Sequence, residues 1–276
     1  MTNTRSISKY LNFMQEPTNV WNPNAYQHQY QTPLTPTTPD KYIMVFDVET
    51  TGLIPKCNKS NKENPFVELT LCPHILQLSW VIYDVENKCI IQTYNTYIRP
   101  TTGTVISEFI TNLTGITQDM CEKKGIPIID ALEHMYRAYI NCNCIIAHNL
   151  EFDRSMIRIE LLRHAANIRH SKPHLNILFH PKYNEDMGIH TKCTMRMSID
   201  LCNIYKLNSK NQRFLKFPKL SELYQKLFDE VPQNLHNSLV DTIVCLRCYL
   251  MIQSGESIHI ESDVFNRLLI NCVSSE

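Results

Sequence analysis

The spacing of apolar residues changes several times along the chain, and each change predicts an element. Tyr42–Asp47 is an apolar run that ends on an acid and reads as a strand. His74–Val85 and Lys88–Pro100 are rich in β-branched and aromatic residues, and Glu86-Asn87 separates them, so two more strands joined by a tight turn are predicted. Between Pro127 and Ile140 the repeat becomes three and four, with Ile128, Leu132, Met135 and Tyr139 on one face. This predicts a helix with Pro127 in its first turn. Cys144–Ala147 reads as a short buried strand, and Glu151–His164, Lys219–Phe228 and Ser238–Ile252 read as helices. A hairpin of strands followed by alternating helices and strands predicts a mixed α/β sheet covered by helices.

This regular region spans residues 41–255. Before it, residues 1–40 are rich in Asn, Gln, Thr and Pro, with "TPLTPTTP" at Thr32–Pro39. Such a stretch buries too little apolar surface to offset its ordering entropy, and a disordered tail is expected. Residues 256–276 form a C-terminal extension. Two stretches read as insertions, one at about 54–73 and a basic, His-rich one at about 164–192. The second has no periodicity and is expected to be a long loop.

Composition adds two points. With 43% hydrophobic and 20% charged residues in 276, the chain has material for a sizeable core. The formal net charge is zero, yet it divides into −2 for residues 1–150, +7 for 151–220 and −5 for 221–276. The basic middle is an electrostatic footprint for a polyanion, with a solvated positive face as the plain alternative. Eleven cysteines, an odd number, without a charged and then apolar leader, favour reduced thiols in an intracellular, soluble protein. No run approaches the roughly 20 apolar residues of a membrane span, so no membrane partner is expected.

The candidate chemistry starts at "IMVFDVETTGL", Ile43–Leu53. Asp47 and Glu49 lie two apart at a strand end and so point to one face, with no lysine or arginine among the residues around them. Repulsion and desolvation make that arrangement costly unless a cation joins it, and oxygen ligands suit magnesium or manganese. Two more acids arrive in similar settings. "AHNLEFD" (Ala147–Asp153) leaves a strand for a helix with Asp153 in its first turn, and "HNSLVD" (His236–Asp241) opens the last long helix with Asp241 in the same place. Helix capping alone would account for either acid taken singly. His236 falls on the entry loop, where an imidazole is suited to take a proton from water.

Asp47-x-Glu49, then His148-Asn149-x-x-Phe152-Asp153, then His236-x-x-x-x-Asp241 resemble the three motifs of the DEDDh family of 3′–5′ exonucleases. The resemblance covers about Tyr42 to Ile252, includes "LTGIT" at Leu113–Thr117, and in "KFPKLSELYQKLF" with "HNSLVD" is similar to the branch that serves bacterial replicases. It implies a ribonuclease H-like α/β fold, a mixed five-stranded sheet flanked by helices. It also implies two Mg2+ or Mn2+ ions held by Asp47, Glu49, Asp153 and Asp241, with His236 as general base. Nucleic acid 3′ ends, DNA in preference to RNA, would be shortened to nucleoside 5′-monophosphates. Thr50, Thr51, Leu53, Leu113, Thr114, His148, Asn149 and Phe152 would contact substrate.

Plainer roles stand beside several of these. Thr50 suits a strand-end hydroxyl bonded to backbone, Phe152 a core anchor, and His148 a loop tether. Cys245-x-x-Cys248 falls within an apolar helix and reads as core. Cys57, Cys72 and His74 lack a clear fourth zinc ligand. An RNA 3′-end exonuclease is the rival enzyme, and a non-catalytic polymerase-associated subunit the rival of another class. The complete set of acids and His236 speak against the latter. No polymerase or helicase pattern occurs in these residues, so a proofreading or repair role calls for a partner in trans.

Overall fold

The structure is a computed structural model that describes residues 20–21, 40–56 and 67–255. A central sheet is built from β1 (Tyr42–Thr50), β2 (Ile75–Asp84), β3 (Cys89–Tyr97), β4 (Cys144–Ala147) and β5 (His190–Cys193), in the order β3-β2-β1-β4-β5. β2 runs antiparallel to β1 and β3, whereas β4 and β5 extend the other side in parallel. The helices are α1 (Glu108–Thr114), α2 (Gln118–Lys124), α3 (Ile128–Tyr139), α4 (Leu150–Arg163), α5 (Ala165–Ser171), α6 (Pro181–Met187), α7 (Thr194–Met197), α8 (Ile199–Cys202), α9 (Leu220–Phe228) and α10 (Ser238–Ser254). The expected mixed five-stranded sheet flanked by helices is therefore present.

Strand alternation divides the core into two layers. Met44, Phe46 and Val48 face the layer that holds Leu132 and Met135 of α3 and Met156 and Ile157 of α4. Ile43 and Val45 face Leu239, Ile243 and Leu246 of α10. Trp80 and Phe46 are fully buried, and burial of side chains this size contributes about 1.5–3 kcal/mol each. Asp47 and Glu49 continue the Ile43–Val45 row, so the same alternation that builds the core turns both acids toward the α10 layer.

Four expectations need correction. β1 runs on to Thr50, because Asp47 and Glu49 stay paired with Ser79 and Gln77 of β2, so both acids lie inside the strand. Pro127 is the residue before α3 rather than part of its first turn; its ψ of 138° is extended. Residues 164–192 are not a long loop. They form α5, a 3-10 turn at Pro173–Ile177, α6 and the start of β5, and Leu175, Ile177, Leu178 and Phe179 enter the core. These elements are too short to display a repeat. Finally, that segment's histidines are largely engaged within the fold: His174 meets Glu133 at 2.7 Å, His180 accepts from the Tyr183 N–H, and His190 meets Asp40 at 3.0 Å.

Further pieces without a predicted counterpart are α1, α2, α7, α8, β5 and a two-stranded ribbon, Tyr205–Leu207 paired with Arg213–Leu215. Ser107 caps α1 and Gly115 ends it at φ 74°, a left-handed conformation that glycine adopts without penalty. Val20–Trp21 pairs with Val67–Glu68. The rest of the expected tail, Cys57 and the C-terminal extension lie outside the described residues. Cysteines of the described residues form no disulfide, and Cys245 and Cys248 are buried on α10 as expected of core. No helix among the described residues is long and apolar enough to cross a membrane.

Candidate active site

Asp47, Glu49, Asp153 and Asp241 come together where β1 outruns β4. β4 pairs only with Ile43, Met44 and Val45, and β1 continues five residues beyond that point. There the Val48 N–H donates to the carboxylate of Asp153, which α4 brings in from its first turn. The acid therefore completes the hydrogen bonding of a strand edge as well as joining the cluster. Asp241, in the first turn of α10, accepts from the His236 N–H at 3.2 Å.

The electrostatics follow from burial without compensation. Burial and the charges of Asp153, Asp241 and Glu49 hold the Asp47 carboxyl well above the usual carboxylate range. Burial and Asp241 push Glu49 up to about 8. Burial also raises Asp153 despite its backbone hydrogen bonds, and pushes Asp241 up to about 7 despite that from His236. No cationic side chain is among the groups that shift these four acids. Oδ1 of Asp241 is buried without a hydrogen-bond partner. Four converging carboxylates, one with an unsatisfied buried oxygen, form a donor set that fits hard divalent cations. Glu49, His236 and Asp241 place potential ligand atoms within 4.8 Å of one another.

α10 is aimed by a polar network that sequence reasoning missed. The Ser238 N–H donates to Gln77 Oε1 at 3.2 Å, and the Ser238 and Ser79 hydroxyls lie 2.6 Å apart. Gln77 Nε2 and the Ser79 hydroxyl both donate to Asn95 Oδ1 at 2.9 Å. Gln77, Ser79 and Ser238 are fully buried, so these bonds fix the first turn of α10 against β2. The available signal was the pair of polar residues two apart within "ILQLSWVIYD", on one face of an otherwise apolar strand.

The expected substrate-contact residues divide into two groups. Leu53 is 83% exposed, and Leu113 and Thr114 line a cleft of about 320 Å³ together with His236 and Asn237. A larger hollow of about 1090 Å³ opens beside Thr51, Leu53 and His74. The Thr114 hydroxyl nonetheless donates to the Ile110 carbonyl at 2.9 Å, and the remaining residues are set within the protein. Thr50 donates to the Gly52 carbonyl at 2.7 Å, and the Thr51 hydroxyl accepts from the His74 N–H. Phe152 packs on the core, and Asn149 adopts a left-handed φ of 68° at the entrance to α4. His148 bonds through both nitrogens, to Thr194 Oγ1 at 3.0 Å and the Pro218 carbonyl at 3.1 Å. Burial pushes its imidazole down to about 4, so it is neutral, and the carbonyl partner assigns the proton to Nε2. The ring ties the loop before α9 to the site.

A second cluster, Asp40, Cys144 and His190, lies at the opposite end of the same strands. There Lys192 Nζ stands 3.6 Å from Asp40 and supplies the positive charge. Burial pushes the Asp40 carboxyl up, but His190 and Lys192 outweigh it and leave the group below its usual range. Burial pushes the Cys144 thiol up, away from the thiolate a metal would need.

Residues 44–249 match the RNase_T family model, described as exonuclease. A PolC-type DNA polymerase III from Mycoplasmopsis pulmonis is 25% identical over 238 residues, 86% of this chain but 13% of that protein. Its counterpart from Caldanaerobacter subterraneus subsp. tengcongensis is 32% identical over 116 residues, 42% of this chain and 7% of that one. The chain thus spans a small part of the length of these relatives. Among solved structures, E. coli Exonuclease I in complex with a dT13 oligonucleotide shares the fold, with a TM-score of 0.52 and 14% identity over 83% of this chain and 43% of that one. Divalent metal ions are general in the DEDDh family, in keeping with the carboxylate cluster. The chain belongs to the RNase_T exonuclease family.

Proposed function

We propose that this chain removes nucleotides one at a time from DNA 3′ ends, releasing nucleoside 5′-monophosphates, and that it works beside a polymerase or repair partner in trans. The observation that carries the reading is the convergence of Asp47, Glu49, Asp153 and Asp241 with no cation among the groups that shift them. The PolC-type relatives favour DNA and a polymerase setting.

Asp47, Glu49, Asp153 and Asp241 would hold two magnesium or manganese ions, which when bound supply the positive charge that a scissile phosphate and its leaving oxygen require. His236 acts as general base. Its loop is exposed, its backbone N–H is anchored on Asp241, and its ring nitrogen lies within 4.8 Å of the Glu49 and Asp241 oxygens. From there it takes the proton of the attacking water and passes it to solvent. Leu53 wedges against the terminal base, and Leu113 and Thr114, in the cleft beside His236, border the sugar.

The test is degradation of 5′-labelled single-stranded DNA, mismatched-primer DNA and RNA of one sequence, with magnesium and with chelator. Stepwise shortening of DNA from the 3′ end, abolished by chelator, is expected. Preferential trimming of RNA would overturn the substrate while keeping the chemistry, and chelator-insensitive cleavage would sink the mechanism. His236→Ala should lower kcat by about 10²–10⁴-fold at unchanged metal affinity. A loss of metal affinity instead would make His236 a ligand rather than the base.

A further inference from the structure

Between α8 and α9 the chain carries Lys206, Lys210, Arg213, Lys216 and Lys219 and no acid from residue 201 to 220. Much of the excess charge of the basic middle segment is concentrated there. Lys216 is paired with Glu222, but Lys206, Lys210 and Arg213 have no carboxylate partner among the described residues. All three are exposed on the ribbon Tyr205–Leu207/Arg213–Leu215. Large apolar side chains alternate with them: Tyr205, Leu207 and Phe214 are 42%, 64% and 45% exposed, and Phe217 just beyond is 51% exposed.

The pairing register sorts the ribbon into two faces. Tyr205 stands opposite Leu215 and Leu207 opposite Arg213 on one face, while Lys206 stands opposite Phe214 on the other. The Arg213 guanidinium already lies 3.6 Å from the Tyr205 ring centroid. A two-stranded ribbon is marginal alone, but this one is held at both ends. At the tip, Asn208 Oδ1 accepts from the N–H groups of Lys210 and Gln212 at 2.9 Å each, and at the base the Lys216 N–H donates to the Ile204 carbonyl at 2.9 Å. Three residues past the ribbon, the Pro218 carbonyl meets His148 on the loop that enters α4 and delivers Asp153. A cationic, aromatic surface is thereby tethered to the edge of the carboxylate site.

We infer that this ribbon is a docking surface for single-stranded nucleic acid, gripping the strand upstream of the 3′ end that occupies the site. Arg213 with Tyr205 on one face and Lys206 with Phe214 on the other give each face a cation for a phosphate and a ring for a base, and Lys210 at the tip joins them, so a strand that wraps the ribbon meets the combination used by sequence-tolerant single-strand binders. Each three-residue strand is about 10 Å long, enough for two or three nucleotides. The inference rests on the exonuclease reading for its position in the reaction, but binding can be measured separately from turnover.

The experiment compares the full chain with K206A/K210A/R213A and with Y205A/F214A, on a single-stranded 12-mer and on a dinucleotide. For the charge variant, KM for the 12-mer should rise about tenfold and KM for the dinucleotide less than twofold, with kcat preserved on both. Anisotropy with the labelled 12-mer in chelator should show the log–log salt slope falling by about two, from three lost phosphate contacts. The aromatic variant should weaken 12-mer binding about fivefold or more without moving the slope. Equal effects at both lengths, or no effect on binding, would overturn the docking surface. Intact salt-dependent binding with no metal-dependent cleavage at either length would sink the exonuclease reading instead and leave the ribbon in place.

Discussion

Strands β1 and β4 have a buried or half-buried carboxylate setting at each end, Asp40 at one and four acids at the other, and the two are balanced differently. At one end Asp40 is met by His190 at 3.0 Å and Lys192 at 3.6 Å, and its carboxyl falls below the usual range. At the other, Asp47, Glu49, Asp153 and Asp241 have one another for company, and all four rise. The same sheet therefore holds one site whose charge is balanced by the chain and one whose balance is left to something from outside. Buried Glu160 also has a counter-charge, with Arg163 against it and His74 at 3.8 Å, although burial still holds its carboxyl above the usual range. The acids of the candidate site are set apart by the absence of a counter-charge more than by their burial.

The sharpest way to break the comparison is Asp47→Asn. Turnover should fall by on the order of 10³-fold or more, while the metal-free protein becomes more thermally stable toward alkaline pH, since the cluster then has one acid fewer to ionise. A variant that lost both stability and turnover would show Asp47 to be structural, like Asp40.

The next largest effect concerns pH and metal removal. Glu49 and Asp241 titrate in the folded protein at about 8 and about 7, above the ordinary carboxyl range of about 4. Their protonated forms therefore favour the folded state. That stability is complete below about pH 4 and is lost as pH rises, the last of it through about 7 and about 8. In chelator, the Tm should drop by several degrees between pH 6 and 8.5, and magnesium should restore it most at the alkaline end. A metal-free Tm independent of pH over this range would contradict the uncompensated cluster. The smallest effect belongs to the balanced end: Lys192→Met should cost about 1 kcal/mol in chemical denaturation, because the pair is partly exposed, and leave kcat untouched.

Much of the site was legible because it follows short-range rules. Alternation put Asp47 and Glu49 on one face, and strand-to-helix transitions placed Asp153 and Asp241 in first turns. The fold was legible wherever an element was long enough to show a period, as in α3 and α10. It was hidden at α1, α2, α5 and α6, each only seven residues long, and at β5, whose His190–Cys193 carries too few apolar residues to read as a strand. The Gln77–Ser79–Asn95–Ser238 network was hidden for another reason. It joins residues as far apart as 161 positions, and no local pattern encodes such a partnership.

Both helices that bring an acid to the cluster are entered through left-handed backbone. Asn149, at φ 68°, stands four positions before Asp153, and His236, at φ 71°, five before Asp241. Side chains that branch at Cβ pay heavily for that conformation, whereas Asn and His tolerate it better than most. The direction of each helix is thus constrained at its entrance as well as along its buried face. Mutational sensitivity should consequently extend to entrance residues for backbone reasons alone: Asn149→Val would swing Asp153 off the Val48 N–H without altering any acid of the cluster.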